Sequence, residues 1–88
     1  MRKKIREGIS EVLEFPKEVV MDLPKLTMAG NRELYLENYK GIVEYTTELI
    51  RLNIGEKELK ITGKDLGIRS IESEDITVYG LIGAVEFL

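Results

Sequence analysis

The segment from Glu58 to Gly63 reads ELKITG, and the segment from Asp75 to Gly80 reads DITVYG. Each sets down an acid, two aliphatic residues two positions apart, and a closing glycine. Side chains two apart project to one face of an extended chain and diverge on a helix, so the phrase specifies a half-buried strand. The glycine marks a turn or bend at its end. ELYLEN, from Glu33 to Asn38, is a third copy with Asn in the place of glycine, the exchange expected where the backbone needs positive φ. The copies begin at residues 33, 58 and 75, and this unequal spacing argues against a solenoid. The repeat therefore reads as scaffold.

The same period of two recurs along most of the chain. Leu26 and Met28 alternate with Lys25 and Thr27 before a turn at Ala29 to Asn31, and Leu34 and Leu36 alternate before a second turn at Asn38 to Gly41. A break falls around Thr46 to Glu48. Gly55-Glu56-Lys57 is the clearest hairpin connection, with Ile50, Leu52 and Ile54 before it and Leu59 and Ile61 after it. Leu66 and Ile68 continue the alternation, Ser70 to Asp75 is a polar link, and Ile76, Val78, Val85 and Phe87 complete it.

The N-terminus has a different period. Ile5, Ile9, Val12 and Leu13 fall on one helical face, predicting an amphipathic helix over residues 1–15 that ends at Pro16. Lys17 to Met21 reads as an extended or irregular link. The expected architecture is mainly β: a single-domain antiparallel roll or sandwich of six to eight short strands over residues 16–88, with the N-terminal helix as an accessory.

Composition narrows the function classes. A chain of 88 residues with no Cys and no His has no disulfide, thiol nucleophile, imidazole base or ordinary zinc site. Sixteen acids against thirteen bases give a net charge of −3, which disfavours a nucleic-acid partner. The basic run Arg2, Lys3, Lys4 and Arg6 supports at most weak peripheral contact with anionic lipid. No segment has the length of a membrane span, and no apolar signal-peptide core follows the basic start.

The remaining catalytic options are carboxylates. Glu56, Glu58, Glu72, Glu74 and Asp75 are close in sequence, and a small-ligand-binding or carboxylate-dependent hydrolytic domain is the alternative reading. It would require a buried acid with a raised pKa. Their setting among Ser, Lys and Arg in predicted turns points to solvated loop charges. Gly63-Lys64 does not complete a phosphate loop, because Glu58 stands at the first glycine position and Asp65 at the hydroxyl position.

Leu23-Pro24, Glu37-Asn38 with Gly41-Ile42, the segment ITGKDLGIRSI and the closing GLIGAVEFL follow one another in an order that resembles the YabP/YqfC family of sporulation proteins, and its YqfC-like branch in particular. The pieces LYLENYKG and ITGKDL carry most of the likeness. The resemblance implies a role in the mother cell of an endospore-forming bacterium, beside a membrane protein encoded nearby. It implies no enzymatic activity, no cofactor and no catalytic residue. Cytoplasmic location, peripheral to the forespore-facing membrane, is the matching expectation.

If the protein works by contact, Tyr35, Tyr39, Tyr45 and Tyr79 are the candidate side chains, since tyrosine is enriched at interfaces. The strand AVEFL, with Phe87, is a candidate open edge for a partner or a second copy. Asn38, Gly41, Gly55, Gly63 and Gly80 read as turn-forming residues rather than contacts.

Overall fold

The computed structural model describes residues 22–88. The helix expected over residues 1–15, the link after it and the domain boundary at residue 16 lie outside these. Six strands follow in order: β1 (Lys25–Ala29), β2 (Glu33–Glu37), β3 (Gly41–Tyr45), β4 (Leu49–Asn53), β5 (Glu58–Ile71) and β6 (Asp75–Phe87). All pairings are antiparallel, and the strands form one open sheet in the order β1-β2-β6-β5-β4-β3. There is no helix among the described residues.

The expectation of uniformly short strands fails at β5 and β6, which run for 14 and 13 residues. Gly63 and Gly80 do not end their strands but bend them. The β5–β6 ladder shifts register at Thr62/Gly63 and again at Lys64/Gly67. A Cβ on Gly63 would lie 2.0 Å from the Leu81 carbonyl oxygen, so only a glycine lets the two backbones approach this closely. Gly80 has φ of +133°, and a Cβ there would meet the Asp65 carbonyl oxygen at 2.6 Å.

The bend folds the sheet back on itself. The Tyr39 amide donates to the Glu74 carbonyl (3.0 Å) and the next amide, Lys40, to the Asn53 carbonyl (2.7 Å). Asn53 pairs with Glu58 at the start of β5, whereas Glu74 lies beyond its end. A straight strand of β5's length would hold those points about 45 Å apart. Adjacent amides cannot bridge that distance, so β5 turns back and the two halves of the sheet face each other.

The halves are built alike. Glu33–Glu37 pairs with residues 75–79 of β6, and Leu49–Asn53 pairs with residues 58–62 of β5. In each half the closing glycine of the repeated phrase donates its amide to the turn before the neighbouring strand: Gly63 to Glu48 (3.2 Å), Gly80 to Arg32 (3.1 Å). Leu49–Asn53 is therefore a fourth copy of the phrase in position, though it begins with Leu where the others have an acid.

The core follows directly. The fully buried large side chains are Leu34, Leu36, Ile50, Leu52, Leu59, Ile61, Ile76 and Val78, the two aliphatic positions of each of the four copies. Tyr39, Ile54, Leu66 and Ile82 join them in one cluster. Full burial of each aliphatic side chain contributes about 1.5–3 kcal/mol, so these eight positions dominate the stability.

Candidate interaction face

The two halves differ on the side turned away from the core. In the half made of β3, β4 and the outer segments of β5 and β6, the middle row across the strands is Glu44, Arg51, Lys60 and Glu86. Arg51 donates to Glu44 Oε1 and Glu58 Oε1, each at 3.0 Å, and Lys60 lies 3.9 Å from Glu86. Pairs this exposed are worth about 0–1 kcal/mol each, but they leave a charged, water-facing surface.

The equivalent row in the other half is Thr27, Tyr35, Thr77 and Ser70. It carries no charge. Tyr35 occupies the position of Arg51, and its hydroxyl donates to Asp75 Oδ2 at 2.9 Å. That hydrogen bond to a carboxylate, with partial desolvation, raises the Tyr35 pKa above the ordinary phenol value.

Tyr79 belongs to the next row, opposite Glu33 on β2 and Gly67 on β5. Its ring covers Gly67. The Arg69 guanidinium stacks over the ring at 4.9 Å from its centroid, while Arg69 also pairs with Glu33. Both tyrosines are thus held in place and still exposed, Tyr35 by 38% and Tyr79 by 39%. Beside Tyr35 lies a shallow hollow of about 260 Å³ lined by Thr27, Met28, Ala29, Glu33 and Thr77. Lys25, Glu37 and Asp75 rim the face at one end and Glu33 with Arg69 at the other. An uncharged aromatic centre within a polar rim is the build of a protein-contact surface.

The other sequence candidates fall elsewhere. Tyr39 is a correction: it is buried, at 7% exposure, because positive φ at Asn38 (66°) turns the chain so that the next side chain enters the core. Tyr45 is exposed on the edge strand β3, away from Tyr35 and Tyr79, and Phe87 is exposed by 63% near the end of β6. Gly41 opens β3, and Gly55 (φ 118°) lies in the β4–β5 turn, where its amide donates to Asn53 Oδ1 at 2.8 Å. Arg69 and Gly67 were not singled out from the sequence; only the register of Tyr79 exposes them.

The acids of the alternative reading do not converge on one pocket: Glu56 and Glu58 line an open hollow of about 460 Å³ with Asn53 and Lys57, and Glu74 and Asp75 line a separate one. Glu56, Glu72 and Glu74 are exposed, and Glu58 and Asp75 are half-buried and held by Arg51 and Tyr35. The second, a charged hollow of about 380 Å³ between Asp22, Lys25, Glu37, Lys40, Glu74 and Asp75, is cross-linked along one side by its own polar groups. There Asn38 Nδ2 donates to Asp22 Oδ1 (3.0 Å), Lys40 Nζ donates to Asn38 Oδ1 (3.2 Å), and Lys40 pairs with Asp22. The Asn38 hydrogen bond and the Lys40 charge lower the Asp22 pKa. Among the described residues no group of three or more acids is placed to hold a metal ion, and no helix is long and apolar enough to cross a membrane.

Comparison with known proteins agrees with the sequence pattern. The profile of the YabP family matches residues 22–88. The uncharacterized protein YqfC of Bacillus subtilis (strain 168) is 31% identical over 87 residues, spanning 99% of this chain and 94% of the relative. No solved structure matches. With the family pattern spanning every described strand and a relative aligned along almost the whole length, the chain belongs to the YabP family.

Proposed function

We propose that this protein is a non-enzymatic interaction module of sporulation, acting in the mother-cell cytoplasm of an endospore-forming bacterium and docking a protein partner through the Tyr35–Tyr79 face. Membership of the YabP family supports the sporulation part of the reading. The contact part rests on one observation: at equivalent positions of the two halves, one outer row is closed by ion pairs and the other is uncharged and centred on a fixed tyrosine. A side chain already restrained by a hydrogen bond loses less entropy on docking than a free one. The partner proposed is a sporulation membrane protein encoded nearby.

The test is crosslinking and affinity capture from sporulating cells that carry Tyr35→Ala with Tyr79→Ala. Loss of a partner recovered with the wild type, together with fewer spores and an unchanged circular dichroism spectrum, is expected. Tyr45→Ala is the control, since Tyr45 lies off the face. Full recovery of every partner by the double variant would overturn the assignment of this face.

A further inference from the structure

Among the described residues, four stretches of strand are paired on one side only: β1, β3, residues 67–71 of β5 and residues 81–87 of β6. Exposed edges invite strand addition unless something blunts them. β1 opens with Lys25, β3 is interrupted by a bulge at Val43, and the β5 stretch is irregular at Ile68/Ser70 and tied down by Arg69 to Glu33. Among the described residues, the β6 stretch is blocked only at its beginning, where the Ile82 amide donates to Asn31. From Ala84 to Phe87 its register with β5 is regular, and it carries neither proline nor lysine.

We propose that this edge pairs antiparallel with the same edge of a second copy, with Val85 opposite Val85. The backbone sets which groups are available. The Leu88 amide bonds to the Glu58 carbonyl (2.8 Å), so Leu88, Glu86 and Ala84 direct their backbone groups toward β5. Val85 and Phe87 therefore direct theirs outward. A twofold centred on Val85 joins its amide and carbonyl to those of the second Val85.

The side chains fit that register and no neighbouring one as well. Phe87 falls opposite Gly83 of the second copy, an aromatic facing a glycine, as Tyr79 faces Gly67 within the chain. Glu86 falls opposite Ala84. Moving the twofold to Glu86 would set two carboxylates face to face, and moving it to Ala84 would push Phe87 against the blocked start of the edge. Val85 and Phe87 share the core-facing side with Ile61 and Leu59, so pairing extends the core and covers Phe87, now 63% exposed. The contact is short and belongs to the weak, transient class of interfaces. It leaves the Tyr35–Tyr79 face uncovered and stands independently of the partner proposed there.

The test is the mass of the full chain by light scattering, from micromolar concentrations to about 1 mM, with three groups of variants. Val85→Pro removes only an outward amide, which an edge strand tolerates, and should weaken the dimer at least tenfold. Ala84→Glu places a carboxylate opposite Glu86 of the other copy and should weaken it, whereas Ala84→Lys should strengthen it. Misfolding cannot produce effects of opposite sign. Val85→Cys should give a covalent dimer on mild oxidation, because directly opposed residues lie within disulfide range, and Glu86→Cys should not. A wild type that stays monomeric throughout overturns the proposal. So does a dimer that neither Ala84 variant shifts and that Val85→Cys does not trap.

Discussion

The Tyr79 ring lies over Gly67, its partner across the β5–β6 ladder, so closely that a Cβ on Gly67 would stand 2.6 Å from the ring's Cζ and hydroxyl oxygen. The absent side chain is the seat of the ring, and the ring in turn supports Arg69. Gly67→Ala should cost about 1–3 kcal/mol by overpacking, measured by urea unfolding. Because the atoms it meets belong to a side chain that can swing away, most of that cost should vanish in a Tyr79→Ala background. Equal costs in both backgrounds would show that the ring does not seat there.

Gly80 makes the opposite prediction. Its Cβ would meet the Asp65 backbone, which cannot swing away, at a positive φ that side chains rarely adopt. Gly80→Ala should destabilise by about 3 kcal/mol or more, with no second-site truncation to relieve it. Gly41→Ala, with nothing within 4 Å of the added carbon, is the control and should stay within about 1 kcal/mol.

These two glycines show what the sequence could and could not say. A glycine after an alternating pair reports that a side chain is not tolerated; it does not report whether the chain turns there or merely passes another backbone. The hairpin at Gly55 and the positive φ at Asn38 were legible because each is a local event. That the strands continue through Gly63 and Gly80 was not, since the close approaches there are to Leu81 in one case and Asp65 in the other, residues distant along the chain. The insertion of β6 between β2 and β5, which brings Tyr35 and Tyr79 onto one face, is likewise a long-range pairing. Composition did place tyrosines among the contact candidates, but it could not separate Tyr39, which enters the core, from the exposed three.

Burial along one row of the sheet sets a third expectation. Leu52 and Ile42 are register partners on the core-facing side, yet Leu52 is fully buried and Ile42, on the edge strand, is 41% exposed. Leu52→Ala should cost about 2–5 kcal/mol in denaturant unfolding through lost burial and a residual cavity. Ile42→Ala should cost clearly less. Similar losses at both positions would mean that β3 is covered as fully as β4.

The two shifted titrations act at opposite ends of the pH range. The Tyr35 pKa is raised by its bond to Asp75, so the unfolded chain ionises first as pH rises. The stabilisation is fully present below the ordinary phenol value near 10 and is lost as pH climbs through the higher folded value. The Asp22 pKa is lowered, so its stabilisation is present above the ordinary carboxylate value and is lost as pH falls through the folded one. Unfolding midpoints measured across pH should therefore fall at both extremes. Tyr35→Phe should flatten the alkaline side alone, and Asn38→Ala, which removes the main cause of the Asp22 shift, should flatten the acid side. If Tyr35→Phe leaves the alkaline slope unchanged, the hydroxyl is not held by Asp75 in solution, and the fixed aromatic centre of the interaction face loses its anchor.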